Sequence, residues 1–228
     1  MKLRAALLAV ALLPVGAATT AHAVSKPTVK TVCHIIKDAA GDAQYNGAVP
    51  GDGNDDVISG DIASDGKTVT GVVRLAALAQ PDPMAPFGQA FFVRFTPKGT
   101  DEVLFVSART YPQGTAFVYG YAAPDPTSGI NTSYTLGSAT GVVDTAKKEV
   151  RISAPVAGFA TGAKVKLVKG LKLLSPTADT WRLVGQGLVP SQEVGGTRVP
   201  IGGLLLPFDD ASGPAYVVGT PSCVKLGA

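Results

Sequence analysis

Seven aspartates, Asp38, Asp42, Asp52, Asp55, Asp56, Asp61 and Asp65, fall within one stretch that no lysine or arginine interrupts. Clustered carboxylates repel one another unless water separates them or a cation is shared. Calcium takes roughly six to eight oxygens from carboxylates, carbonyls and water, and "DAAGD" and "GDGNDD" offer such oxygens in loops loosened by glycine. Asp38, Asp42, Asp52, Asp55, Asp56 and Asp61 are therefore the candidate ligands of a structural calcium ion. The competing reading is a pair of solvated turns in which Asp and Asn side chains hydrogen-bond the local backbone.

Regular calcium templates fit poorly. "GDGNDDVISGD" approximates one turn of a calcium-binding nonapeptide repeat, but Pro50 replaces the first glycine and no second copy follows. Such a turn completes its ion site only against neighbouring turns. Against an EF-hand loop, Asp52, Asn54 and Asp56 match the first three ligand positions, while Val57 replaces the turn glycine and Ala63 the bidentate glutamate. A calcium site here would be irregular.

Catalytic groups are sparse. His22 lies in a leader, which leaves His34 as the one imidazole available to a Ser-His-Asp arrangement, and no G-x-S-x-G elbow occurs. Glu102, Glu149 and Glu193 show no spacing that singles out a hydrolytic pair. No catalytic residue is assigned, and the chain reads as a binding protein rather than an enzyme.

For binding, "TAFVYGYA" places Phe117, Tyr119 and Tyr121 on one face of a strand, roughly 7 Å apart. Facing outward they would form a strip suited to stacking on sugar rings; facing inward they would be core. Trp181, beside Arg182, has the same two readings. The lysines of "AKVKLVKGLKLL" suit an anionic polymer or a solvated face equally.

The elements that must position these residues follow from the remainder of the chain. Residues 1–23 carry Lys2 and Arg4, an apolar run from Ala5 to Leu13, and a small-residue exit ending in Ala21-His22-Ala23, the pattern of a cleaved secretory signal. Without them, 18 basic side chains face 17 acidic ones. That balance gives no reason to expect nucleic acid as a partner. The most apolar later stretch, "VPIGGLLLPF", is broken by Gly and Pro and too short to span a bilayer. A secreted product is expected, and in an oxidising compartment Cys33 and Cys223, the two cysteines, pair as a disulfide.

Residues 24–228 read as one all-β domain. Period-two alternation recurs in "KTVTGVVRL", "QAFFVRFT", "DEVLFVSAR", "TAFVYGYA", "KEVRISAPV", "TWRLVGQG" and "AYVVGTPSCV", with turn chemistry between the runs. Many short strands without a long helix predict an antiparallel, jelly-roll-like β-sandwich. Ala163 to Leu174 is expected as a bulged strand. Leu188 to Pro214, dense in Gly and Pro, is expected as a long loop.

The "DAAGDA" stretch with its Asp-rich sequel, "ISGDIASDGKTVTGVVRL" and the closing "DDASGPAYVVGTPSC" resemble uncharacterised secreted bacterial β-sandwich proteins, and more distantly DOMON-like and carbohydrate-binding-module-like sandwiches. The resemblance implies a sandwich with structural calcium in some members and sugar or cofactor binding, with Asp38, Gly41, Asp42, Asp61 and Asp65 as the positions carried over. Ala39 departs from the proline common there.

The expected function is thus non-catalytic binding of a cell-envelope or extracellular ligand, carbohydrate first. The alternatives are a protein-interaction role for the 188–214 stretch and, after it, a carboxylate-dependent hydrolase.

Overall fold

The structure, a computed structural model, describes residues 30–124, 131–184, 191–194, 197–200 and 204–227. The leader lies outside the described residues. Seven strands precede the long central hairpin: β1 (Ile36–Lys37), β2 (Gln44–Tyr45), β3 (Val49–Pro50), β4 (Val57–Ser64), β5 (Thr68–Leu75), β6 (Gln89–Pro97) and β7 (Val103–Tyr111). There follow β8 (Gly114–Pro124), β9 (Asn131–Ser138), β10 (Thr140–Asp144), β11 (Glu149–Pro155), a short helix α1 (Val156–Gly162) and β12 (Lys172–Val184). The last four are β13 (Ser191–Val194), β14 (Thr197–Pro200), β15 (Leu204–Ser212) and β16 (Tyr216–Val217).

They build an all-β sandwich. One sheet has the order β1-β4-β5-β11-β10; the other runs β15-β12-β6-β7-β8-β9, with β16 also paired to β12. Within the larger sheet β6 to β9 follow one another as a meander. The alternation that predicts these strands also decides their faces. Ile62, Val69, Val73, Val150 and Ile152 of one sheet share a core with Phe91, Val93, Phe95, Leu104 and Val106 of the other. Full burial of each such side chain contributes about 1.5–3 kcal/mol. Gly71 marks the closest approach, since a Cβ there would lie 2.7 Å from both Val93 and Val106.

Helix α1 has no side-chain cap at its N-terminus, so packing rather than capping holds it. Phe159 is fully buried and meets Tyr119 and Phe95 edge-on, with ring centroids 5.0 and 6.2 Å away. On the opposite face of the smaller sheet, Thr70 and Val72 are as buried as the core residues. The C-terminal segment covers them: Val224 and Leu226 pack with Val72 and Ala63, and the Gly227 amide donates to Thr70 Oγ1 at 3.3 Å.

The expected disulfide joins Cys33 to Cys223 across 190 residues, with a Cα–Cα distance of 5.2 Å. Beside it the Val32 amide donates to the Pro221 carbonyl at 2.9 Å, and the Cys223 amide to the Val32 carbonyl at 3.1 Å. In the chain-entropy account, closing so long a loop contributes about 5 kcal/mol. No helix among the described residues is long and apolar enough to cross a membrane.

Two local expectations fail. Residues 163–171 are not a bulged strand; Lys164 and Gly170 take positive φ values of 58° and 90°, which breaks any ladder, and Val165 and Leu167 drop into the core. The 188–214 stretch is not one loop either. Residues 191–194 pair with 197–200 as a hairpin, and β15 pairs with β12 from Leu204 to Ser212. Pro207 is tolerated there because β15 is an edge strand and the register slips between Thr180 and Trp181. The remainder of that stretch, residues 188–190, 195–196 and 201–203, lies outside the described residues.

Candidate functional site

The edge strand β15 runs past the acidic loops, and this contact divides the six aspartates expected to share one ion. They fall into three separate settings.

In the first, Asp55 is fully buried and meets Arg182 of β12 in a two-pronged ion pair: Arg182 Nε donates to Oδ1 at 2.9 Å and Nη2 to Oδ2. Gln89 Nε2 adds a bond to Oδ1 at 3.3 Å, the Asp52 amide donates to Oδ2 at 3.0 Å, and Thr180 Oγ1 donates to the Asp55 carbonyl. Asp52 stands 3.6 Å from the same guanidinium. The third acid is Asp82, absent from the sequence-based ligand set; its Oδ1 accepts from the Met84 amide at 2.8 Å and its buried Oδ2 has no hydrogen-bond partner. Burial, and then the charges of Asp52 and Asp55, push the Asp82 carboxyl above the usual carboxylate range. A cation already sits among these acids, and it belongs to the protein.

In the second, Asp61 is buried on the smaller sheet and accepts from the Ile35 amide at 3.1 Å and from Arg74 Nη1 at 2.8 Å. Arg74 continues to Glu149 at 3.0 Å, and His34 Nδ1 lies 3.2 Å from its Nη1. Asp61 is therefore a counter-ion of Arg74, remote from the acidic loops it was grouped with.

The third setting has no such cation. One carboxylate oxygen from each of Asp38, Asp42 and Asp209 lies within 4.8 Å of the others. The "DAAGD" loop brings the first two together, with Gly41 at a φ of 88° turning the chain and its amide donating to Asp56 Oδ2 at 2.8 Å. Asp209 arrives from β15, where its Oδ2 accepts from the Val57 amide at 2.7 Å. Asp56 is 5% exposed, and its Oδ1 is buried without a partner, as is Asp38 Oδ2. Burial pushes Asp209 up to about 7, with the charges of Asp38 and Asp42 adding to it. Burial likewise raises Asp38, and Asp42, Asp210 and Asp56 add to that. Among the described residues, no lysine or arginine forms an ion pair with Asp38, Asp42, Asp56 or Asp209.

The same region opens into a groove of about 320 Å³ lined by Asp42, Gln44, Asn46, Phe208, Asp209 and Asp210. Its far wall is the β2–β3 hairpin, whose turn places Asn46 and Gly47 at φ values of 51° and 67°. Asn-Gly is the preferred pair for that backbone twist. Tyr45 and Phe208 pack beneath it with ring centroids 5.9 Å apart, and the Arg182 guanidinium lies 4.3 Å from the Phe208 ring on the side of the first cluster. The two acidic clusters are thus joined through one guanidinium and one aromatic ring.

The aromatic strip is a correction. Tyr119 is buried in the inter-sheet core, and Phe117 and Tyr121 pack against that core. The strip faces inward because α1 supplies Phe159 against Tyr119, and Tyr134 of β9 stacks on Tyr121 with centroids 5.1 Å apart. Trp181 lies on the other face of the larger sheet, edge-on to Phe92 and donating from Nε1 to Asp179 Oδ1 at 3.0 Å. Arg94, which pairs with Asp179, has its guanidinium over both rings.

Sequence reasoning missed Asp209 and Asp82. The adjacent acids in "PFDD" are a visible signal for the former, hidden by the Gly/Pro density that made the stretch read as a loop. No protein-family profile, curated protein or solved structure matches this chain.

Proposed function

We propose that this chain is an exported, non-catalytic β-sandwich that binds carbohydrate of the cell envelope or extracellular space in the groove between the β2–β3 hairpin and β15. The groove's lining carries the reading. Carboxylates at Asp42, Asp209 and Asp210 accept hydrogen bonds, amides at Gln44 and Asn46 both donate and accept, and Phe208, packed on Tyr45, adds an aromatic wall. A polyhydroxylated ring offers matching donors and acceptors along its rim, and a concave site with a few convergent polar groups is the usual form of a small-ligand pocket. The signal-like leader and the Cys33–Cys223 bridge support export. The arrangement around His34, an exposed ring beside Arg74, supports a role without nucleophilic chemistry.

Binding of the purified protein to a panel of soluble polysaccharides, followed by titration of the best one, tests this. Gln44→Ala and Asn46→Gly, glycine being chosen because it accepts the positive φ of position 46, should each weaken binding by roughly tenfold, the loss of a hydrogen bond or two, while leaving the unfolding midpoint unchanged. Binding that survives both substitutions would move the site elsewhere. Cleavage of the bound glycan would make the groove's carboxylates a hydrolytic pair.

A further inference from the structure

We infer that Lys67, Lys98, Lys164, Lys166, Lys169 and Lys172 form a docking surface for a linear anionic polysaccharide, at the end of the sandwich remote from the acidic loops. This surface is separate from the groove and does not depend on it.

Three segments far apart in the chain assemble it. Between α1 and β12, Val165 and Leu167 enter the core, while Lys164, Lys166 and Val168, which alternate with them, are exposed, as are Lys169 and Lys172. The β4–β5 turn brings Lys67 to this segment. Its carbonyl accepts from the Val156 amide at 2.8 Å, and a Cβ on neighbouring Gly66 would lie 3.6 Å from the Leu167 carbonyl oxygen and 3.7 Å from the Lys169 amide. The β6–β7 turn brings Lys98 from the larger sheet, where its amide donates to the Lys172 carbonyl at 2.8 Å. Lys67 and Lys98 are exposed too.

Exposure alone would make these lysines a solvated face. Their charge, however, is left unmatched: among the described residues none of the six forms a salt bridge. Asp65, Asp101 and Glu102 share this end, half as many acids, and Asp65 already accepts from the Lys67 and Thr68 amides. The charge is also segregated. Strands β4 and β6 lead from the acidic loops to these turns, and β12 leads from Lys172 back to Arg182. The eight residues of β4 put roughly 25 Å between the two ends. Without the leader the chain carries nearly equal numbers of basic and acidic side chains, so it is this segregation, not net charge, that draws a polyanion to one end and repels it from the other.

The surroundings of the lysines select the polymer. No aromatic residue lies in the three segments, so nucleic-acid bases would find no stacking platform. Val168, 58% exposed, is the one large apolar side chain exposed there among the described residues, too little to anchor the surface in a bilayer. Ammonium groups on flexible stems act as point charges, which suits acidic groups spaced along a glycan chain.

The test titrates the purified exported protein with polygalacturonate and with dextran sulfate, using uncharged dextran as the control. At least one polyanion should bind, and its affinity should fall at least tenfold between about 0.05 and 0.2 M salt, as counterion release requires. Lys67→Gln, Lys98→Gln and Lys166→Gln, all exposed positions, should together cut affinity at least tenfold at the lower salt and flatten the salt dependence, with the unfolding midpoint unchanged. Gln44→Ala in the groove and Lys147→Gln in the β10–β11 turn should keep the wild-type affinity, so failure of the groove reading leaves this result untouched. No binding of either polyanion at the lower salt would overturn the inference. So would a triple variant that binds like the wild type, or an equal loss in Lys147→Gln. Binding to phosphatidylglycerol vesicles without binding to either polymer would replace the glycan with a membrane surface.

Discussion

The two acidic clusters are built from the same residue type and are joined through Arg182 and Phe208, yet the chain treats their charge in opposite ways. Around Asp55 the chain supplies its own cation: Arg182 is buried and reaches both carboxylate oxygens, while Gln89 and Thr180 donate further bonds to Asp55. Around Asp38, Asp42, Asp56 and Asp209 it supplies none among the described residues, and two carboxylate oxygens are buried without partners. In the closed cluster a guanidinium matches the charge, whereas the open cluster is held by backbone amides, of Gly41 to Asp56 and of Val57 to Asp209, that carry no full charge. One cluster ties this part of the chain to β12 through Asp55 and Arg182, and the other ties it to β15 through the Val57 amide and Asp209.

Breaking the closed cluster should have the largest effect. Arg182→Ala strands Asp55 in the interior and should destabilise the fold by about 3–5 kcal/mol, as loss of one partner from a buried ion pair does. Chemical denaturation would show it, and the Asp55→Ala, Arg182→Ala double variant should lose less than the sum of the singles. A loss under about 1 kcal/mol for Arg182→Ala would mean that the pair is not holding the loop.

The open cluster should answer with the opposite sign. In chelator at pH 8, Asp209→Asn removes a charge that burial disfavours, so its midpoint should lie above that of the wild type. A variant less stable than the wild type would erase the distinction between the clusters.

A smaller effect within the closed cluster is read by pH. Burial raises Asp82 above its unfolded value, so its contribution to stability is complete below the ordinary carboxylate range and is lost as pH rises through the raised value. Each unit of such a shift corresponds to about 1.4 kcal/mol. Asp82→Asn should flatten the decline in stability from acid towards neutral pH, measured by denaturant midpoints without calcium; an unchanged slope would show that Asp82 does not titrate abnormally. The smallest effect is expected at Asp65, outside both clusters, where the exposed side chain accepts from the Lys67 and Thr68 amides at 2.8 Å. Asp65→Ala should cost about 0.5 kcal/mol, read from the denaturant midpoint; a loss as large as that of Arg182→Ala would make this turn part of what holds the clusters.

Much of the architecture is legible in the chain. Alternation in "KTVTGVVRL" places Val69, Val73 and Leu75 on the core face, where they lie, because one buried sheet face needs only a period of two. The Cys33–Cys223 pairing is the one that two cysteines allow, and the structure joins them. The groove hairpin has a signal in Asn46-Gly47, the pair that accepts positive φ at both positions. Where propensity meets long-range contact, the sequence misleads. "LLLPFDDAS" carries a proline, but as an edge strand it leaves that position free of a ladder donor on its outer side.

What the sequence by itself determined is therefore the fold class, the disulfide and the concentration of carboxylates near the N-terminus, all of which depend on residue type and local period. Only the tertiary structure decided how those carboxylates are used. Arg182 and Asp209 stand 127 and 152 residues from their partners Asp55 and Val57, and strand register alone brings them there. Charge is a property of the residue, but whether a buried charge is matched depends on the neighbour that packing delivers.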